Sequence, residues 1–204
     1  NVGYVRAARY GGTLGCTDPL ATNYNSSASW DDGTCGAQAL AIGGTYQGGI
    51  IFHLDGNGGG LIAAASDFSG YQEWGCYGTL ISGADGTVIG TGTQNTIDII
   101  NANCTSSNGS PTAADICANY TSSQYGSYSD WYLPSKDELN EMYLNIGQGN
   151  ALGLGNIGGF SNQYYWTSTQ VDSNAAIQVV FANGNSYPTS KNVTNISTRA
   201  IRQF

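Results

Sequence analysis

Charge is what this chain has least of. Only 10% of its 204 residues are Asp, Glu, Lys or Arg, and just six are basic: Arg6, Arg9, Lys136, Lys191, Arg199 and Arg202. Against 14 acidic residues this gives a formal net charge of −8. A surface of that sign repels phosphate and sulfate backbones, which argues against nucleic acid as a partner. Apolar runs are short too, and none approaches the roughly 20 residues that a helix needs to cross a bilayer, so no membrane span is expected. No basic segment followed by an apolar stretch opens the chain, so Asn1 is expected to be a mature or internal start. Histidine occurs once, at His53, and there is no Cys-x-x-Cys pair, which removes the usual zinc patterns.

Glycine and tyrosine are abundant instead, with 30 and 14 copies in a chain that is 40% hydrophobic. That composition belongs to a globular protein of short strands and tight turns. The length allows one sizeable core with a small appendage, or two small domains. Apolar runs at Gly49–Leu54 and Gly60–Ala64 flank Asp55-Gly56-Asn57-Gly58 and predict a β-hairpin. The Gly/Thr-rich stretch "GTLISGADGTVIGTGTQNT" suits loops and a short strand. Helices are expected in "NTIDIINANC", in "PTAADICANY" with Pro111 in its first turn, and in "SKDELNEMYLNI". In the last, Ser135 and Glu138 have capping-box spacing, and Leu139, Met142, Tyr143 and Ile146 fall on one face. Strands return with "YYWTSTQ", "AAIQVVFANG" and "TRAIRQF", where Asn183-Gly184 is a hairpin turn. Strands, then helices, then strands make an α+β protein.

Five cysteines with few lysines and much Asn, Ser, Thr and Gly point to an oxidising, extracellular or cell-surface setting. Cys16 and Cys35 flank a segment with almost no aliphatic residues, and a disulfide between them stabilises by roughly 3 kcal/mol on chain-entropy grounds. Cys104 and Cys117 bracket a short turn between two expected helices and are assigned as the second pair, leaving Cys76 over. Between Cys16 and Cys35 lie Asp18, Asn23, Asn25, Asp31 and Asp32, hard oxygen ligands of the kind Ca²⁺ takes, although the EF-hand spacing is absent. The alternative is that these side chains cap turns through their own backbone. The segment resembles a module of the pattern "CTDP…NYN…DDG(S/T)C" found in large surface and fibre proteins of aquatic bacteria and their phages, where it spaces folded domains.

From about Thr45 onward, "YQGGIIFHLD", "GLIAAASD", "WGCYG", "GTGTQNTIDII", "AADIC", "DWYLPSKDELNEMY", "YYWTSTQ", "VVFANG" and "RAIRQF" follow one another. In this order they resemble the C-terminal domain of the Legionella collagen-like protein. The resemblance implies a C-type-lectin-like fold, a secreted or surface location and an adhesive role without established catalytic residues. The namesake binds sulfated glycosaminoglycans. That ligand is not expected here, because six scattered basic residues supply no basic patch. The resulting division is 1–14 as a strand or linker, 15–36 as the disulfide-closed module and 40–204 as the lectin-like domain.

Arg6-Ala7-Ala8-Arg9 echoes Arg199-Ala200-Ile201-Arg202 at an offset of 193 positions. Because RAxR belongs to the closing strand of the resembled family, Val5, Arg6, Ala7 and Arg9 read as the tail of a preceding copy. Alternatively they form an assembly strand that docks on a neighbouring sheet edge, with Arg199 and Arg202 as its counterpart.

An active site would need a nucleophile with a base, or paired carboxylates in a cleft. His53 sits in a strand pattern, and Asp130, Asp137, Glu138 and Glu141 gather near a helix start where capping explains them. Cys76 lacks the partner that formylglycine-generating chemistry requires, and Trp131 and Trp166 read as core. No enzymatic activity is expected. The reading is of an extracellular structural or adhesive protein assembled head to tail. The alternative is a lectin-like adhesin or phage fibre that binds neutral glycans through Tyr71, Trp74, Tyr77, Tyr164, Tyr165, Asn183, Asn185 and Tyr187.

Overall fold

A computed structural model describes residues 11–18, 21–36, 40–122 and 127–204, which fall into two compact units dividing between Leu40 and Ala41. Val5, Arg6, Ala7 and Arg9 lie outside the described residues.

In the first unit, β1 (Leu14–Gly15) pairs in parallel with β2 (Trp30–Asp31). Two-residue strands bury little, and the Cys16–Cys35 disulfide closes the segment as expected. The intervening turns are held by side chains. Asn25 Oδ1 accepts from Ser27 N–H, Asp31 Oδ1 from Gly33 N–H, and Asp32 Oδ1 from Thr34 N–H, each at 3.0 Å.

The second unit is α+β, and its described residues form two antiparallel sheets and three helices. One sheet has the order β3 (Thr45–Tyr46), β4 (Gly49–Leu54), β5 (Gly60–Ala64), β9 (Ile201–Gln203). The β4–β5 turn forms where the sequence placed it. Asp55 Oδ1 accepts from Asn57 N–H and Gly59 N–H, and these bonds hold the Asp55 carboxyl below its ordinary pKa. The chain's end then returns as β9 beside β5 and bridges Tyr132 on its other side. The second sheet is a meander of β6 (Tyr164–Gln170), β7 (Ala175–Val180) and β8 (Ser186–Ser190). Gly184, at φ 75°, makes the predicted β7–β8 turn.

Helix α1 (Gly92–Asn101) starts earlier than expected, and the Gly/Thr-rich stretch before it forms turns with no strand. Helix α2 (Ala113–Ala118) is capped by Thr112, whose capping box with Asp115 places Pro111 ahead of the helix instead of in its first turn. Helix α3 (Lys136–Ile146) has the expected Ser135/Glu138 box. Glu138 also accepts from Gly90 N–H at 2.8 Å, tying the start of α3 to the turn before α1. Burial pushes its carboxyl above the ordinary glutamate range.

Leu139, Met142 and Ile146 of α3 pack against Phe52 and Leu61 of the first sheet and Tyr165, Val179 and Phe181 of the second sheet and its turn. Each such fully buried side chain contributes about 1.5–3 kcal/mol, so the layer between the sheets is the main source of stability. Trp131 and Trp166 are buried, as the sequence suggested.

Candidate functional site: a polar cleft beside the second disulfide

The segment from Tyr71 to Thr79 runs over the face of the core, and Trp74 anchors it. The indole N–H donates to Thr167 C=O at 2.9 Å, and Trp74 N–H donates to Lys191 C=O at 2.9 Å. The Lys191 ammonium sits 4.4 Å above the ring and donates to Thr79 C=O and Gln170 Oε1. Burial lowers the Lys191 pKa to about 8. Trp74 is only 1% exposed, so it serves the core and not a sugar.

Fixing Trp74 sets its neighbours on opposite sides. Gly75 takes φ 95°, and a Cβ there would lie 2.5 Å from Thr112 Cγ2, so only glycine fits between this segment and the α2 cap. Cys76 follows and is bonded to Cys104. This corrects the expected pairing. Cys117 lies on the buried face of α2 as a free thiol, while Cys104, at the loop after α1, meets Cys76. Burial pushes the Cys117 thiol well above its ordinary pKa. Sequence separation suggested the nearer pair, but the helix turns Cys117 inward. Cys76 is therefore no reactive thiol either.

The disulfide joins two walls of a cleft. One wall is residues 71–79, the other is 102–110, and Asn192 and Thr194 close it from a third side. Two adjoining cavities of about 170 and about 600 Å³ share Glu73 and Ser106. The larger lies within the size range of small-molecule sites. Glu73 is 4% exposed. Its Oε2 accepts from Ser107 N–H at 2.8 Å, and its Oε1 accepts from the Ser107 hydroxyl. Its own carbonyl takes Ala113 N–H at 3.0 Å, locking the backbone to the start of α2. Gln72 lines the smaller cavity with its Oε1 shielded and without a hydrogen-bond partner. Tyr71 and Tyr77 stand at the rims, 55% and 56% exposed. Among the described residues, no basic side chain lines either cavity.

A family model for the Lcl C-terminal domain matches residues 85–202, more than half of the chain. The chain belongs to the Lcl C-terminal domain family. No curated protein matches it. The matched span carries α1 to α3, the meander and most of β9, together with the cleft wall at 102–110. Tyr71, Glu73 and Tyr77, along with β3 to β5, precede it, although β5 pairs directly with β9.

Of the residues singled out for ligand binding, this Lcl-type unit therefore brings Tyr71 and Tyr77 to the cleft and takes Trp74 away from it. Tyr165 is a second correction: it is fully buried and donates its hydroxyl to Asp67 Oδ2 at 2.7 Å. Tyr164 and Tyr187 are exposed on the meander. They stand opposite Val180 and Gln178, two residues apart on β7, so both project from one face of that sheet. Asn183 Oδ1 accepts from Asn185 N–H and caps the hairpin turn. Arg199 and Arg202 are buried in ion pairs with Asp67 and Asp130 and present no assembly surface. Glu73, Ser107, Asn108 and Asn192 escaped notice because they sit in irregular loops, where no periodicity marks a lining residue. Among the described residues, no group of three His, Cys, Asp or Glu side chains is placed to hold a metal ion.

Proposed function

We propose that this chain is a non-enzymatic, extracellular adhesive protein that recognises a neutral or hydroxyl-rich glycan through the cleft around Glu73. The observation that carries this reading is the cleft's make-up. Two exposed tyrosines offer ring faces, and amides, hydroxyls and one carboxylate offer the hydrogen bonds that sugar hydroxyls use. Membership of the Lcl C-terminal domain family is consistent with a structural or adhesive surface role. Two disulfides are compatible with an extracellular setting, and no described helix is long and apolar enough to cross a membrane. A glycan array probed with the whole chain and with Tyr71→Ala/Tyr77→Ala tests it: hits lost in the variant support recognition by the cleft. An array with no hits removes it.

Assembly into a tandem or head-to-tail fibre is a second reading, favoured by what RAxR does in the fold. Arg199 and Arg202 are core residues with fixed partners. A second RAxR at residues 6–9 is then better explained as another copy's closing strand than as surface decoration. The β8 edge does not favour strand addition. Counting in twos from the Val180 N–H to Asn185 C=O bond turns Ser186, Pro188 and Ser190 outward, and Pro188 has no N–H to offer. The full reading frame decides this point, since a repeat predicts further RAxR strands at the 193-residue spacing.

Calcium binding by the first unit belongs to the same proposal and rests on Asp18, Asn23, Asn25, Asp31 and Asp32 lying in one disulfide-closed loop. The turn-capping bonds of Asp31 and Asp32 use Oδ1 of each carboxylate, whereas the single side-chain oxygens of Asn23 and Asn25 accept from Gly36 N–H and Ser27 N–H, so the two carboxylates are the stronger candidates. A melting temperature that falls on adding EDTA supports calcium, and an unchanged one removes it.

A further inference from the structure

Glu73 differs from the other acidic groups that are tied into the second unit. Asp67 faces Arg199, Asp130 faces Arg202, and Glu138 completes a helix cap. Glu73 is more enclosed than Asp67 or Asp130, yet its side-chain bonds are to Ser107 alone, and among the described residues no lysine or arginine lines the cleft on which it opens. Lys191 bonds the carbonyl of Thr79 in the cleft wall but is directed into the core over Trp74. Taking a carboxylate out of water without a counter-charge is unfavourable, and enclosed charges are normally paired. Glu73 lines both cavities, so a ligand seated in the cleft can bring the missing cation. An ammonium group also gains from an aromatic face, which Tyr77 offers at the rim of the same cavity. Acidic sugars meet only repulsion there.

We infer that the cleft selects glycans bearing free amines, such as oligomers of a hexosamine, with the ammonium against Glu73 and the sugar ring beside Tyr77. This rests on the glycan reading above and adds its ligand class. Three consequences follow from the geometry: N-acetylation of the ligand removes the charge and weakens binding, sulfation or carboxylation abolishes it, and salt weakens the amine form selectively.

The test uses the whole chain and three probes: glucosamine oligomers, the matching N-acetylglucosamine oligomers and heparin. Binding is measured calorimetrically at about pH 6, below the titration of an ordinary amine. The expected result is at least about tenfold tighter binding of the free-amine oligomer, a difference of about 1.4 kcal/mol, and none of heparin. Glu73→Gln, checked for an unchanged melting temperature, equalises the two neutral-backbone probes. Tyr77→Ala, which leaves the Glu73–Ser107 bonds in place, weakens both. If Glu73→Gln does not fold, the salt dependence of the wild-type preference replaces it, and a preference insensitive to salt overturns the inference. Equal binding of the two oligomers overturns the amine selection while leaving the glycan reading intact. Binding of heparin alone overturns the inference as well. Binding of no oligomer here, with no hits on the broader array, overturns both.

Discussion

Arg199 Nε lies 2.6 Å from Asp67 Oδ1, joining residues 132 positions apart in the chain. The same guanidinium donates through Nη1 to Ala64 C=O at 2.8 Å and Gly158 C=O at 3.1 Å, and its Cζ lies over the Phe160 ring, 4.3 Å from the centroid. Asp67 is held in turn by the Tyr165 hydroxyl. One fully buried cation therefore ties the end of β5, the loop before β6 and the core face of β6 together. Arginine suits this place because its fork satisfies three acceptors from a single planar head.

Arg199→Met is accordingly expected to destabilise the second unit by about 3–5 kcal/mol, since it leaves the Asp67 carboxylate and two carbonyls without their donor. Arg199→Lys keeps the charge but not the fork and is expected to lose most of the same amount. Urea unfolding followed by tryptophan fluorescence reads both. A loss under about 1 kcal/mol for Arg199→Met would mean that water replaces the guanidinium and that the cluster is not what joins these segments.

The disulfide assignment predicts a sharp contrast among three cysteines. Cys76 and Cys104 are 28 positions apart, and closing that loop stabilises by about 3.5 kcal/mol on chain-entropy grounds. Cys76→Ala and Cys104→Ala should each lose about that much. Cys117→Ala should lose only about 1 kcal/mol for a small cavity. Without reductant, the thiol reagent should label one cysteine in denaturant and none in the native chain, because burial keeps the Cys117 thiol protonated and inaccessible. Labelling of Cys76 would restore the Cys104–Cys117 pairing that the sequence suggested.

Local signals were legible in the sequence and long-range ones were not. The Ser135/Glu138 box, the Asp55 turn and the Asn183-Gly184 turn all involve residues within a few positions of each other, so composition alone specifies them. The Cys76–Cys104 pairing and the enclosure of Trp74 and Tyr165 depend on which loop crosses which sheet, and no local spacing encodes that. Arg199 and Arg202 show the same limit. Their repetition in the sequence was visible, but their carboxylate partners 132 and 72 positions away were not. Of the cleft, only Tyr71 and Tyr77 could be named in advance, as aromatic residues in polar loops. Glu73 gives no sign in the sequence that it will be enclosed.

Lys191 makes stability depend on pH in a definite direction. Burial lowers its pKa to about 8 from the ordinary lysine value, so between these two values the unfolded chain binds more protons than the folded one. The contribution of this residue therefore opposes folding fully below about pH 8, and the opposition fades as pH rises toward that of an ordinary lysine. Wild type should gain stability relative to Lys191→Met as pH is raised from about 8 to about 10. The comparison stops there because Tyr165, pushed up to about 12 by burial, destabilises the folded state once unfolded tyrosines ionise near pH 10. Unfolding free energies of the two proteins, measured by urea denaturation across that window, read it, and curves that stay parallel with pH would show that Lys191 keeps its ordinary titration.

The span matched by the family model leaves out strands that the fold requires. Within residues 85–202, β9 has no β5 to pair with, Ile201 and Arg202 lose their ladder partners Ala63 and Ile62, and Cys104 loses Cys76. Phe52 and Leu61, two members of the core layer under α3, go as well. A fragment beginning at Asp85 is therefore expected to unfold without a cooperative transition and to leave Cys104 reactive. One beginning at Ala41 retains both sheets and should melt cooperatively, as single domains of this size do. Differential scanning calorimetry of the two fragments beside the whole chain tests this. A cooperative transition from the shorter fragment would mean that the three-helix and meander portion folds alone and that the four-stranded sheet is an addition to it.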